Sequence, residues 1–182
     1  MKKLSAVFLI ILSLLSLCSC ADKNAQEEKQ FYVNGVEITQ DEIDFFRLRE
    51  RADIISEFSS KYNVSDFSVF WETEYDGVTP QQALDKRALQ SAAEAKIKFI
   101  EMKNRGIYDE ITWDFFRQKA EEYNKSHEGT STVGLKSIDM SSFYIYYLST
   151  GEIELKKALR DEGITDYDKY ITSLISAMEI TE

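Results

Sequence analysis

The pair Thr79-Pro80 constrains the fold more than any other feature of this chain. Threonine caps a helix well, and proline fits the first helical position, where its missing N–H is no loss. From Pro80 to Arg105 two adjacent rows, Leu84/Ala88/Ala92/Ala95/Phe99 and Leu89/Ala93/Ile97/Ile100, give the predicted helix a wide apolar surface. A helix that is apolar over so much of its circumference needs several neighbours and belongs at the centre of a fold. Gly106 follows as its left-handed stop.

The neighbours are legible on both sides. Upstream, Phe31-Tyr32-Val33-Asn34-Gly35-Val36-Glu37-Ile38 sets an Asn-Gly pair between β-prone residues, which predicts a short strand or hairpin because both turn residues tolerate positive φ. Thr39 and Glu42 form a Thr-x-x-Glu capping box that opens a helix running to about Tyr62. Phe45, Leu48, Ala52, Ile55, Phe58 and Tyr62 recur on its inward face, which Ile43 and Phe46 widen. Asn63–Val78 breaks the period and carries Phe67, Phe70, Trp71 and Tyr75 ahead of the turn-like Asp76-Gly77.

Downstream, a third helix is expected over Thr112–Ser126, buried through Trp113, Phe116, Ala120 and Tyr123, then a polar loop over His127–Ile138. Asp139 caps a fourth helix, inward through Phe143, Tyr144, Tyr147, Leu148, Leu155 and Leu159 and stopped by Gly163. Thr165 or Asp166 opens a fifth, with Tyr167, Tyr170, Ile171, Leu174 and Met178 inward. Met178–Glu182 alternates as a closing strand that pairs with the one near Val33. The expected class is mainly α: about five helices, a short N-terminal hairpin and a C-terminal strand. One proline and seven glycines in 182 residues agree with it.

The first twenty residues are an address and not part of that fold. Lys2 and Lys3 precede an apolar run, Leu4–Leu17, of a length that suits a signal peptide better than a membrane span. The run ends in Leu17-Cys18-Ser19-Cys20, which resembles the bacterial lipobox. That resemblance implies removal of 1–19 and a diacylglycerol on Cys20. The alternatives are a Cys18–Cys20 disulfide or a plain secretory signal. Cys18 competes as acceptor but follows Leu17, where a small residue is expected. Two or more acyl chains hold a protein on a bilayer stably. Residues 20–30 then read as the lipidated cysteine and a polar tether, and 31–182 as one helical domain.

Without residues 1–19, which hold two of the 22 basic residues and no acids, 20 basic residues face 32 acidic ones, a formal charge of −12. That sign argues against nucleic acid and against lying flat on an anionic bilayer. No cysteine follows Cys20, so a lipidated chain has neither disulfides nor thiol chemistry.

The opening Tyr32-Val33-Asn34-Gly35-Val36-Glu37-Ile38-Thr39 before a capped helix resembles the N-terminal domain of the SurA and PrsA type of extracytoplasmic folding factors. So does Phe70-Trp71-Glu72 with Tyr75-Asp76-Gly77-Val78-Thr79-Pro80 before a helix ending Lys103-Asn104-Arg105-Gly106-Ile107. The likeness covers about Phe31–Asn124 well and the remainder loosely. It implies a peptide-binding, chaperone-like helical domain on the outer face of a bacterial membrane. Members often carry a parvulin-type prolyl isomerase domain of roughly 90 to 100 residues, for which this chain has no room. The two-histidine isomerase site of the family has no counterpart here either, since His127 is the one histidine.

Catalytic inventory is thin. His127 reads as a solvated loop residue, no His or Cys pair has metal-ligand spacing, and the glycines are isolated. Neighbouring acids such as Asp109-Glu110 and Glu121-Glu122 do not face each other on a helix. The expectation is a protein without enzymatic activity, metal or cofactor. Function then rests on aromatic side chains, 13% of the residues, as surface for unfolded or extended polypeptide. The candidates are Phe45, Phe46, Phe70, Trp71, Tyr75, Tyr144 and Tyr147. The run Phe143-Tyr144-Ile145-Tyr146-Tyr147 cannot put all its members on one side of a helix. The other reading of the same features is a cell-envelope lipoprotein that docks one folded partner.

Overall fold

A computed structural model describes residues 29–128 and 137–182. Residues 1–28, with the expected leader, Cys20 and most of the expected tether, and most of the loop expected after His127 lie outside the described residues. The fold is mainly α, in the order β1 (Phe31–Val33), β2 (Val36–Ile38), α1 (Gln40–Tyr62), α2 (Pro80–Asn104), α3 (Trp113–His127), α4 (Met140–Asp161), α5 (Tyr167–Ala177) and β3 (Ile180–Thr181).

The expected turn chemistry is present. Asn34 and Gly35 have φ of 49° and 78°, so β1 and β2 pair antiparallel through a two-residue turn. β3 adds antiparallel to the other side of β1, giving the order β2-β1-β3. Asn34 also fastens that last strand: its N–H donates to the Glu179 carbonyl, and its Oδ1 accepts from the Glu179 N–H, both at 3.1 Å.

Each helix starts on a side-chain cap. Thr39 and Thr79 form full capping boxes with Glu42 and Gln82, and Thr112, Asp139 and Asp166 accept from amides three residues on. Gly106 (φ 68°) and Gly163 (φ 86°) end α2 and α4, where Ile107 and Ile164 donate back to Met102 and Leu159. α2 is central, packed by α1, α4, α5, β1 and β2. At Gly151 the approach of α4 is closest, since a Cβ there would lie 2.5 Å from Met102 Sδ and 2.8 Å from the Tyr108 ring.

Two sequence expectations need correction. Leu48 is 75% exposed, and Ala52 is exposed too. The inward face of α1 is Ile43, Phe45, Phe46, Ile54 and Phe58, and Leu48, about 200° round from Phe46, falls on the opposite side. His127 is the last residue of α3 and not a loop residue. Its ring stacks on Tyr123 at 4.1 Å, and its Nδ1 lies 2.8 Å from the Tyr123 carbonyl.

Candidate functional site

The aromatic candidates divide between two places. Phe45, Phe46 and Tyr144 belong to the large core, where the Tyr144 ring meets Phe45 at 5.1 Å, Phe99 at 5.3 Å, Trp113 at 5.1 Å and Phe116 at 5.4 Å. All three are buried. They fill the interior and offer no surface to a peptide in this conformation, which corrects their candidacy as contact residues. Tyr147 is half-buried, against Phe143 at 4.7 Å and Tyr108 at 5.2 Å, and its carbonyl accepts from the Tyr108 hydroxyl at 2.7 Å. Of that run only Tyr146 is exposed.

Sequence reading missed what Tyr144 does. Its hydroxyl donates to Glu42 Oε1 at 3.2 Å, and the same oxygen lies 2.6 Å from Lys96 Nζ. Glu42 Oε2 meanwhile accepts from the Thr39 amide at 3.0 Å and hydroxyl at 3.2 Å. One carboxylate thus caps α1 and neutralises the buried lysine of α2. Lys96 also reaches the Ile111 carbonyl at 3.5 Å, tying the approach to α3 into the cluster. The available signal was a lysine set among Ala92, Ala93 and Phe99 on the apolar surface of α2. Burial, and then the Glu42 charge, hold the Tyr144 phenol well above its ordinary range.

A cleft of about 420 Å³ opens beside this cluster, between β2 and the end of α2, lined by Val36, Glu37, Lys96, Ile100, Lys103 and Ile111 among others. Its cations are already engaged: Lys96 with Glu42, and Lys103 with Glu110 at 3.5 Å. Glu110 also accepts from the Ile111 amide at 2.7 Å.

Phe70, Trp71 and Tyr75 are brought together elsewhere, in the connection between α1 and α2. Phe70 is buried with Ile54, Phe58 and Leu84 as a second, smaller core, so it too offers no surface to a peptide in this conformation and is corrected as a contact residue. Around it lie Phe67 at 5.3 Å, Trp71 at 5.0 Å and Tyr75 at 6.3 Å. Tyr75 and Val78 exchange backbone hydrogen bonds of 3.0 and 3.1 Å across a second tight turn, with Asp76 at φ 51° and Gly77 at φ 86°. Tyr75 packs on Tyr62 at 4.9 Å, and Asp76 accepts from the Tyr62 hydroxyl at 2.7 Å. The outer skin is apolar: Phe67 is 49% exposed, Val69 59% and Val78 42%, with Trp71 half-buried beneath the Arg51 guanidinium at 4.3 Å. At 23 residues α1 is about 35 Å long, and this connection packs along its second half at Arg51, Ile54 and Phe58.

Among the described residues no group of three or more His, Cys, Asp or Glu could hold a metal ion. No described helix is long and apolar enough to cross a membrane. No family model matches the chain, and neither a curated protein nor a solved structure matches it significantly.

Proposed function

We propose that this chain is an extracytoplasmic lipoprotein, held on a bacterial membrane through Cys20, that binds unfolded or extended polypeptide without catalysis. The observation that carries the reading is the α1–α2 tip, where Phe67, Val69 and Val78 remain exposed over a packed aromatic base. A cluster of large apolar side chains on a rigid support suits partners that share hydrophobicity and little else. The SurA and PrsA resemblance supports the same reading, as does the Leu17–Cys20 motif. Geometry adds a further argument. Phe31, where the tether ends, pairs with Ile38 at the start of α1, so an anchor enters at the end of α1 opposite the tip.

The test uses the full processed chain in lipid vesicles. Light scattering of a denatured client should rise more slowly than with empty vesicles. A client that aggregates equally fast, together with no binding of apolar peptides, overturns the proposal. Crosslinking on cells separates the docking alternative: many weak clients favour the proposal, and one stoichiometric partner favours docking.

A further inference from the structure

The connection between α1 and α2 carries only acidic charges of its own, and its cations, Lys61 and Arg51, come from α1. Between Tyr62 and Asp85 the chain has no lysine or arginine, and the segment that carries the exposed Phe67, Val69 and Val78 also carries Asp66, Glu72, Glu74 and Asp76. All four carboxylates are exposed. Asp76 is engaged by Lys61 at 3.3 Å, but Asp66, Glu72 and Glu74 make no ion pair among the described residues. Asp66 is held in its ionised form by the Ser68 amide, which donates to it at 2.9 Å and keeps its carboxyl below the usual range. The tip also shows how a cation sits on it: Arg51, from α1, lies over the Trp71 ring. Phe67 is 49% exposed, and among the described residues no cation lies over its ring.

We infer that the tip selects extended polypeptide segments in which apolar residues alternate with lysine or arginine. Apolar side chains of such a segment cover Phe67, Val69 and Val78, while its cations meet Asp66, Glu72 and Glu74 and lie across the Phe67 ring. An acidic segment meets three uncompensated carboxylates and is rejected. This inference rests on the peptide-binding reading and adds to it the chemistry of the client.

The experiment measures fluorescence anisotropy of three synthetic peptides that share one apolar frame and carry lysine, serine or glutamate at the same positions, titrated with the full lipidated chain. The lysine peptide should bind about tenfold more tightly than the serine peptide at low salt, and that margin should collapse towards 1 M salt, where the screening length falls to about 3 Å. The triple variant Asp66→Asn/Glu72→Gln/Glu74→Gln should lose the margin. A control with the same change in net charge, Glu121→Gln/Glu128→Gln/Asp161→Asn, should keep it. Equal binding of lysine and serine peptides, or equal loss in both variants, overturns the inference and leaves peptide binding standing. Failure of all three peptides to bind overturns both.

Discussion

The two hydrophobic clusters are built from the same kinds of residues and serve opposite ends. Around Tyr144, rings from α1, α2, α3 and α4 enclose one another and a buried Glu42–Lys96 pair, to which the Tyr144 hydroxyl donates. Around Phe70, one connection packs on α1 and the start of α2 with four buried residues, and Phe67, Val69 and Val78 stay largely exposed. Aromatic content alone therefore says little about binding. What distinguishes the two is how many elements converge: α2 has neighbours along most of its length, whereas the tip has solvent on its far side.

The sharpest way to break the large core is to remove the cation. Lys96→Met leaves Glu42 and Tyr144 facing an uncompensated buried charge, and denaturant unfolding should show a loss of about 3–5 kcal/mol. Adding Glu42→Gln should restore much of it, since the glutamine oxygen keeps the capping box with Thr39 while its amide NH2 donates to the Tyr144 hydroxyl. A double variant as unstable as the single one shows that the site depends on charge and not on hydrogen bonding. Removing the pair should leave amide exchange at the tip nearly unchanged, because no residue of the second cluster touches it.

Gly151→Ala examines the packing that makes the large core deep. Alanine is the better helix former by about 1 kcal/mol, yet its Cβ would meet Met102 and the Tyr108 ring under 3 Å. The net result should be a destabilisation of about 1–2 kcal/mol by thermal melting. A stabilised variant would show that α4 can move off α2 freely, and that the core is looser than its contacts imply.

The clusters should also part company with pH. Tyr144 and Tyr108 are raised, Tyr108 to about 12, chiefly by burial. The unfolded chain then loses these protons near pH 10 while the folded one keeps them, so their contribution is whole below pH 10 and falls as pH rises beyond it. Asp66 and Asp76 at the tip are lowered, by the Ser68 amide and by the Tyr62 hydroxyl with Lys61. Their contribution is whole above about pH 4 and fades as pH drops through their lower folded values. Titrated by near-ultraviolet dichroism and by tip amide exchange, alkali should loosen the large core first and acid the tip first. The reverse order would contradict these assignments.

Local chemistry made the helix starts, the Asn34-Gly35 turn and the Gly106 and Gly163 stops readable, because each is decided by residues within a few positions. The Glu42 side chain was readable as a cap for the same reason. Its second role was not, since Lys96 lies 54 positions away and Tyr144 102 positions away, and only the packed fold brings them to one oxygen. Periodicity likewise put Leu48 inside, because a three-four spacing is met by more than one stripe and the neighbours of α1 chose another. Among the aromatic residues, the sequence showed that Phe143–Tyr147 could not all be buried but not which would be. It marked Phe70, Trp71 and Tyr75 as a group because they share one short connection.

The smallest effect on stability should accompany the largest effect on binding. Phe67→Ser with Val69→Ser removes side chains that are about half in water, so the melting midpoint should move by no more than a change of about 1 kcal/mol implies. Affinity for an apolar peptide should nonetheless fall, by about tenfold if these two side chains form the contact. The matched control is Tyr146→Ser with Ile153→Ser, which removes two other exposed apolar side chains, both on α4. If the control weakens binding as much as the tip variant, general surface hydrophobicity holds the client and the tip has no special role. If only the tip variant does, then the cluster with fewer packing neighbours is the one that works, because its base is packed and its skin is not.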